Sequence, residues 1–406
     1  MSTVATVPGA APVAVVAPSG RVVIPTWLGG CLLAVAAAAP FEGDRIALLA
    51  MVAPMSWCLF ARRDRAAVAR ISWPILLFLL WLALTMLWSV DGAQTASSVL
   101  KMALLTLLGT LVSAGRSVDG LMDVIARCGQ VALTASWVLY FALPDVGRNW
   151  DGYESGAMRG IFVHRNTLGY FAALITITML VRWARGPRRL LSPSLAWACL
   201  ALVSTVMSQS RTAWSVLGVT AALALVMLAM RGLRRPARLS AVAVLVVLVG
   251  ALVRVALNPE QVVTGLGRDA TLTGRTEIWG AVVTGIIERP FLGYGWGALW
   301  RAGSPATEAL WAEAGFAFHH AHNGYLDSAA QAGLIGMSLG LLVVATGLWR
   351  ALRSHVHRGS WSSTWVLLVL AAVLVFNMTE AVAFTGMSWV LLVSFCLVAH
   401  PWKEHP

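Results

Sequence analysis

The stretch RRDRAAVARISWPILLFLLWLALTMLWSV, residues 62–90, places a basic segment directly before a long apolar run. The run from 72 to 90 comes close to the roughly 20 residues that a helix needs to cross a bilayer. The rest of the chain is similar: 58% of its 406 residues are hydrophobic and 12% are charged. A soluble protein carries about a quarter charged residues. The sequence therefore predicts an all-α polytopic membrane protein.

Twelve apolar runs alternate with short loops, and every second loop is basic. Arginine-rich loops mark the cytoplasmic side of a membrane protein, which predicts about 12 transmembrane helices with both termini in the cytoplasm. The basic loops are 62–70, 182–189, 231–238 and 350–358. The apolar runs lie at 23–40, 45–60, 72–90, 96–114, 121–143, 167–184, 191–208, 213–230, 239–257, 327–349, 362–381 and 386–400.

This topology divides the chain into five parts. We expect a disordered cytoplasmic tail (1–22), transmembrane helices 1–9 (23–257), a long periplasmic loop containing short amphipathic helices (258–326), transmembrane helices 10–12 (327–400) and a cytoplasmic tail (401–406).

The charge and the cysteines exclude some functions. The formal net charge is +12, but arginines that orient spans account for it, so no nucleic-acid partner is indicated. The five cysteines lie in or beside apolar runs without CxxC spacing. We interpret them as packing residues, in neither a disulfide nor a metal site.

Four unusual segments fall on the extracytoplasmic face of the predicted topology. They carry charged side chains close to the membrane, where charge is expensive and usually functional. Their convergence predicts a site that opens on this face. The segments are 145–166, 208–214, 258–326 and 377–384.

Arg211 lies in the short turn SQSRTAW (208–214). Because the turn holds few residues, its side chain is expected to point into the protein. A guanidinium presents a fork of donors that matches phosphate oxygens, which favours an anion clamp. A snorkelling arginine at the membrane interface is the alternative.

The segment TGRTEIWGAVVTGIIERPFLGYGWGALW (273–300) predicts a membrane-surface amphipathic helix that ends at Arg289-Pro290. A cap at Thr273 or Thr276 would place Arg275 at the helix N-terminus, where free N–H groups favour anions.

Aromatic residues follow this helix in the stretch GYGWG (293–297). No strand precedes the stretch, so it is a weak match to a dinucleotide loop. Tyr294, Trp296 and Trp300 form either an interfacial aromatic belt or surfaces that stack on sugars.

Three histidines open the stretch HHAHNGYLDSAAQAGLIG (319–336). A metal site at His319, His320 and His322 would need further ligands. The sequence offers no HExxH motif and no carboxylate cluster, and Asp327 is the nearest acid along the chain. An imidazole titrates near neutral pH, as a general base requires. A structural histidine at a helix entrance is the third interpretation.

Together these motifs resemble the O-antigen ligase/polymerase superfamily, which includes O-antigen ligases, Wzy-type O-antigen polymerases and ExoQ-type exopolysaccharide polymerases. The resemblance covers the central and C-terminal two-thirds of the chain. It is carried by RGIFVHRNTLG (159–169), SQSRTAW (208–214), GRTEIW with ERPFLGYGWG (274–297) and HAHNGYLDSAAQAGLIG (320–336).

The resemblance implies a GT-C-like, inverting glycosyltransferase without metal or cofactor. Its donor would be a glycan linked to undecaprenyl diphosphate, used on the periplasmic side of the bacterial inner membrane. Arg211 and Arg275 would hold the diphosphate, and His322 would be the general base. Other candidates for substrate binding are His164, Arg165, Arg289, His319, Asn323, Tyr294 and Trp296.

The acceptor distinguishes the branches of this superfamily. It is a lipid-linked repeat for a polymerase and lipid A-core for a ligase. The stretch 159–169 looks closest to the exopolysaccharide polymerases, which we therefore place first, with the ligase as alternative. A lipid-glycan transporter is a third possibility, although it would place charges near the membrane midplane. Membrane lipids and a chain-length regulator protein are the remaining partners that the resemblance implies.

Overall fold

The computed structural model of the protein describes residues 25–38, 71–150, 155–187, 189–229 and 274–398. Within these ranges all regular structure is helical, apart from an isolated antiparallel bridge between Arg148 and Met158. The predicted all-α class is confirmed. The helices are α1 (Thr26–Ala38), α2 (Trp73–Leu84, extended by a 3₁₀ turn at Thr85–Leu87), α3 (Gly92–Ser113), α4 (Val118–Ala142), α5 (Pro144–Gly147), α6 (Arg165–Arg185), α7 (Pro193–Met207), α8 (Arg211–Ala229), α9 (Arg275–Glu288), α10 (Pro305–Ala314), α11 (Gly324–Arg358), α12 (Trp361–Phe376) and α13 (Gly386–Leu397).

Ten of the twelve predicted apolar runs coincide with a helix. The runs 45–60 and 239–257, both tails and residues 258–273 lie outside the described residues. Five described helices are long and apolar enough to cross a membrane: α3, α4, α6, α8 and α11. Four others, α2, α7, α12 and α13, are apolar but shorter. A multi-pass membrane protein is therefore supported, and the count of twelve and the GT-C-like fold stay predictions.

Helix α6 occupies the centre of the bundle. It packs against α4, α7, α8 and α12, and 72% of its apolar stretch is buried. Around it, α1 packs on α4, α3 on α13, and α2 on α11. The burial of its apolar side chains holds α6 in place, and its two ends carry different polar groups. The ends of α6 therefore identify the two faces of the bundle.

The basic C-terminal end of α6 lies on one face of the bundle. At the C-terminus of α6, Arg185 lies 2.6 Å from Asp119 at the start of α4. The hydroxyl of Ser362, at the start of α12, donates to the same carboxylate at 2.7 Å. Because α4 and α12 begin where α6 ends, the residues that precede α6 lie on the opposite face. The candidate site lies on that opposite face.

Helix α11 is interrupted at Gly333, whose φ of 70° and ψ of 173° are not helical. The backbone of the loop that follows α9 occupies the break: Leu334 N–H donates to the Pro290 carbonyl at 2.7 Å. A Cβ at Gly333 would lie only 2.0 Å from the Phe291 carbonyl oxygen, so glycine is required. Glycines spaced like Gly333 and Gly336 can let neighbouring helices pack closely. Gly336 does lie against a tryptophan, but Gly333 breaks the helix instead.

The loop that enters this break contains the GYGWG stretch; we call residues 290–297 the clamp loop. Tyr294 N–H donates to the Ala330 carbonyl at 3.0 Å, and Gly295 N–H donates to the Gln331 carbonyl at 2.9 Å. These are carbonyls that the break releases from helical pairing. The three glycines of the stretch have φ of 68°, 104° and 73°, which glycine adopts without strain. The stretch therefore ties α9 to α11.

Helix α9 agrees with the prediction except at its cap. It ends at Glu288 with Arg289 as C-cap, as predicted, but its N-cap is Gly274 in the left-handed conformation, without a side-chain cap. The expected threonine cap is therefore wrong. Buried residues of α9 and α10, among them Val282 and Leu310, form a second small core with Trp300. This core holds the outer segment against α11.

Candidate functional site

Four polar segments meet on one face of the bundle, as the topology predicted. Asn166 Nδ2, at the start of α6, donates to Glu380 Oε1 at 2.9 Å. The hydroxyl of Thr379 lies 3.3 Å from that of Thr212, in the first turn of α8. Gly324 N–H, at the start of α11, donates to the Asn377 carbonyl at 2.8 Å. These contacts tie together 145–166, 208–214, 258–326 and 377–384.

Glu380 lies at the centre of these contacts, in the turn between α12 and α13. Asn377 shapes the turn, since its Oδ1 accepts hydrogen bonds from Val382 N–H at 3.1 Å and Ala383 N–H at 2.9 Å. Glu380 is 8% exposed. A buried carboxylate is costly unless it is paired, so its partners define the site.

Two of those partners are residues to which the sequence assigned chemistry. Glu380 Oε1 lies 3.4 Å from Arg275 Nη2, and Oε2 lies 3.3 Å from His322 Nδ1. Burial raises the pKa of the Glu380 carboxyl, but the contact with His322 and the electrostatic interactions with His320 and Arg275 lower it by more. The net pKa lies below the ordinary value, and the carboxylate is ionised at neutral pH.

The loop before α11 presents the histidines and is held by indole N–H groups. Trp279 Nε1 donates to the Ala321 carbonyl at 2.9 Å. Asp327 Oδ1 accepts from Ala321 N–H at 3.1 Å and from Trp300 Nε1 at 2.8 Å. Asp327, which the sequence offered as the nearest acid, therefore fixes the loop backbone. The acid beside the His322 imidazole is Glu380, which is distant in the sequence.

His322 has a strained backbone and an accessible ring. Its φ is 46°, a left-handed value that is rare for a residue with a side chain, and its side chain is 32% exposed. Strain of this kind clusters at functional sites. With Nδ1 facing Glu380, Nε2 is the ring nitrogen left for a substrate.

His320 supports His322 rather than duplicating it. The centres of the two rings lie 3.9 Å apart, and His322 N–H donates to His320 Nδ1 at 3.2 Å. Burial lowers the pKa of His320 to about 4, with a further contribution from His322. The His320 ring is therefore neutral near pH 7 and braces the backbone of His322.

The residues that could hold a metal ion differ from the three histidines that the sequence suggested. His320, His322 and Glu380 can each offer one ligand atom, and these atoms lie within 4.8 Å of one another. His319 is not part of this group, since its ring lies edge-on to Trp311 with centroids 6.2 Å apart. Arg275 already binds the same carboxylate and would repel a cation there.

Arg275 is the first residue of α9 and is positioned for an anion. Its side chain is 21% exposed, and only one guanidinium nitrogen contacts Glu380. A guanidinium carries five N–H donors. Most of them therefore remain for a ligand, beside the free N–H groups of the first helical turn.

Arg211 begins α8, but its side chain is exposed and does not point into the protein as the sequence predicted. The buried face of α8 contains Ala213 and Val216, and each residue turns a helix by about 100°. Arg211, two residues before Ala213, is therefore on the far side. It forms no ion pair with the described part of the chain.

The segment that opens α6 supports the turn before Arg211. Arg165 Nη1 donates to the Gln209 carbonyl at 2.7 Å. The ring of His164 caps α6 by accepting from Asn166 N–H at 3.2 Å. Asn323 likewise caps α11, accepting from the N–H groups of the two residues after Gly324. The structure brings these three candidates to the site in positioning contacts.

The aromatic candidates and Arg289 lie elsewhere. The Arg289 guanidinium stacks 4.7 Å from the Tyr294 ring centre, at the far end of α9, roughly 20 Å from Arg275 at 1.5 Å per residue. Trp296 packs edge-on against Phe78. Tyr294 and Trp296 are 4% and 7% exposed. A sugar-stacking surface and an interfacial belt both need open rings, so neither expectation describes these residues.

Glu380 and Asn166 are the residues that the sequence did not single out. A signal for Glu380 was present: an acid in the short turn NMTEAVAF (377–384) between two apolar runs. A charge in such a turn is costly unless it has a partner. The partner could not be named, because it comes from a segment distant in sequence.

Comparison with known proteins identifies similar sequences. The sequence model of the O-antigen ligase family matches residues 196–341, a segment that contains Arg211, Arg275 and His322. The chain is also 29% identical over 228 residues to the exopolysaccharide production protein ExoQ of Rhizobium meliloti (strain 1021). That match covers 53% of this chain and 51% of the relative, so the chain spans about half the relative's length. The resemblance to this superfamily is confirmed.

Proposed function

Because the chain is similar to O-antigen ligases and ExoQ-type proteins, we propose that it transfers a glycan from undecaprenyl diphosphate to an acceptor hydroxyl. The reaction takes place at the periplasmic face of the bacterial inner membrane. One observation carries the proposal: a single buried carboxylate, Glu380, contacts both a candidate base and a candidate anion ligand.

His322 is the base in the proposed reaction. With a proton on Nδ1 directed at Glu380, Nε2 accepts the proton of the acceptor hydroxyl. The hydroxyl oxygen forms a bond to the anomeric carbon as the bond from that carbon to the diphosphate oxygen breaks, which inverts the configuration. Glu380 stabilises the imidazolium, the role that a buried carboxylate has beside a catalytic histidine.

Arginines receive the leaving group. Arg275 holds the diphosphate, whose negative charge grows as the bond breaks, and preorganised donors stabilise such charge most effectively. Arg211 has an exposed side chain on the outer side of α8, so it would have to turn toward the donor to join Arg275. Arg165 adds a third positive charge to the same face. Among the described residues, Glu380 contacts Arg275 directly, and the remaining N–H donors of Arg275 are available to an anionic donor.

Two acceptors remain, and one observation favours each. The match to ExoQ favours polymerisation of lipid-linked repeats, and the family description favours ligation to lipid A-core. Purified protein given only the lipid-linked repeat distinguishes them. A polymerase yields a ladder of products, whereas a ligase yields product only after lipid A-core is added.

The transporter alternative would place charges near the midplane. Among the buried charged residues that the structure describes, Lys101 in the middle of α3 is in such a position; Arg116, Asp327 and Glu380 lie near helix ends. Transfer by purified protein in detergent, where no second compartment exists, would separate an enzyme from a transporter.

Three variants test the assigned roles. Arg275→Ala and Arg211→Lys should weaken donor binding about tenfold or more, because they remove charge-assisted or bidentate contacts to phosphate. His322→Asn keeps a residue that tolerates positive φ, and should slow transfer by about 10²–10⁴-fold with donor binding intact. Wild-type transfer by His322→Asn would overturn the base assignment. Equal loss of donor binding in all three would place His322 in the phosphate pocket.

A further inference from the structure

Two adjoining cavities lie at the end of the bundle opposite to Glu380. The first, of about 440 Å³, is lined by polar side chains that include Asp123, Arg127 and Arg182. The second, of about 790 Å³, is mostly apolar. Both are bordered by Thr26, Arg127 and Gln130, so they form one continuous cleft between α1, α4, α6 and α7.

The polar part of the cleft carries a net positive charge. Arg182 is ion-paired with Asp123. Arg127 donates to Gln130 Oε1 at 3.0 Å and forms no ion pair with a carboxylate of the described chain. Two guanidinium groups against one carboxylate leave one positive charge. The start of α7 at Pro193 and Ser194 also borders the cavity, and the positive end of a helix favours an anion.

The apolar part continues inward from the charges. It follows α4 from Arg127 to Ala135, which is roughly 12 Å at 1.5 Å per residue, and its other wall is α1 at Trp27 and Cys31. A positive pocket at the end of spanning helices, with an apolar groove leading from it toward their middle, has the shape and polarity of an amphiphile with an anionic head.

The cleft is separate from the candidate active site. Arg182 follows Arg165 by 17 positions in α6, so the two ends lie roughly 26 Å apart. A donor held beside Arg275 does not reach it. The occupant is therefore expected to be a constituent of the membrane on the other side of the bundle.

We propose that this cleft binds an anionic phospholipid, with its headgroup phosphate at Arg127 and one acyl chain in the groove beside Trp27 and Ala135. Basic pockets between spanning helices on the cytoplasmic side bind anionic lipid headgroups in this way. The lipid would bridge α1 and α4 to α7.

The test is native mass spectrometry of the full chain purified in detergent and titrated with dioleoyl phosphatidylglycerol or dioleoyl phosphatidylcholine. The wild type should bind the anionic lipid at least about tenfold more tightly. Arg127→Gln should lose that difference, because it removes a charge-assisted contact. Ala135→Phe fills the groove and should weaken binding with the charges in place.

Arg189→Gln is the matched control, since it removes an exposed arginine at the same end of the bundle that borders neither cavity. It should bind the anionic lipid like the wild type. Equal binding of both lipids, equal weakening by Arg127→Gln and Arg189→Gln, or no effect of Ala135→Phe would each overturn the proposal. So would glycerol phosphate binding as tightly as the lipid, since the groove would then have no part. Unchanged thermal unfolding shows that each variant is folded.

Discussion

Replacement of Glu380 by glutamine tests the centre of the candidate site. The side chain keeps its size, so the buried turn between α12 and α13 can persist. Asn166 Nδ2 donates to Oε1, which should keep the glutamine oxygen at that position. The glutamine amide then takes the place of Oε2, 3.3 Å from His322 Nδ1.

The expected loss follows from two effects. The imidazolium formed in the transition state loses its charged partner, and hydrogen bonds to charged groups contribute about 1.5–3 kcal/mol, or roughly a ten- to hundredfold change in rate. In addition, the new amide donates to Nδ1 and forces the proton of His322 onto Nε2, the atom that must accept a proton. A wrong histidine tautomer raises the loss to about 10²–10⁴-fold.

Donor affinity should respond in the opposite sense. Arg275 loses an anionic neighbour at 3.4 Å, and the phosphate pocket becomes more positive. We therefore expect donor binding by Glu380→Gln to equal or exceed that of the wild type, with single-turnover transfer slowed as above. Glu380→Asp, which restores the charge on a shorter side chain, should recover part of the rate.

The matched control is Glu277→Gln, the same substitution at an exposed position in the first turn of α9. Its carboxylate accepts from Thr276 and touches neither His322 nor Arg275, so transfer should remain near the wild-type rate. Both quantities are measured on the same detergent-purified samples. If Glu380→Gln transferred glycan within about threefold of the wild type, Glu380 would not be the partner of the base.

Four shorter predictions follow from the fold and the site. Gly333→Ala should destabilise the protein by at least about 1–3 kcal/mol in thermal unfolding, while Gly280→Ala, where nothing lies within 4 Å, should be neutral or stabilising by up to about 1 kcal/mol; equal effects would refute the break in α11. The pKa of His320 is about 4 in the folded protein and about 6.5 when unfolded, so the unfolded chain binds more protons between these values. Stability should fall by up to about 3 kcal/mol as the pH drops from 6.5 to 4, and His320→Gln should remove that dependence; an unchanged pH profile would contradict it. EDTA should leave transfer unchanged, and loss of activity restored by one divalent ion would favour the metal interpretation instead. In a cysteine-free background, Ala302→Cys should react with an impermeant maleimide after permeabilisation of the outer membrane alone, and Arg189→Cys should not; reversed labelling would place the site in the cytoplasm.

The helices and the active face could be predicted because both depend on local properties. Hydropathy marked ten helices, with bounds that differ by up to nine residues, at the C-terminus of α11, since a span must be apolar along its own length. Arginine placement then assigned alternate loops to opposite faces. Arg275 and His322 were identifiable because each begins or precedes a helix on the predicted outer face, and their contacts with Glu380 agree with that assignment.

Features that depend on remote pairing could not be predicted. The break at Gly333 exists because Pro290 and Phe291 occupy it. The hydrophobic periodicity of α11 does not predict that these residues lie there. The direction of Arg211 depends on which face of α8 is buried, and the length of its turn does not determine that. Glu380 was visible only as a charge in an apolar context until the structure supplied its partners.

The clamp loop explains how residues from separate segments stay in register. Helix α9 is fixed at both ends: Arg275 contacts Glu380 at its start, and the clamp loop enters the break in α11 after its end. The loop that contains His320 and His322 leads into the first turns of α11, which lie between Asn323 and that break. A rigid helix tied to α11 at one end and to the α12–α13 turn at the other leaves little freedom in the distance from Arg275 to His322. Gly333 lies away from the reacting atoms, yet it determines where the phosphate ligand sits relative to the base.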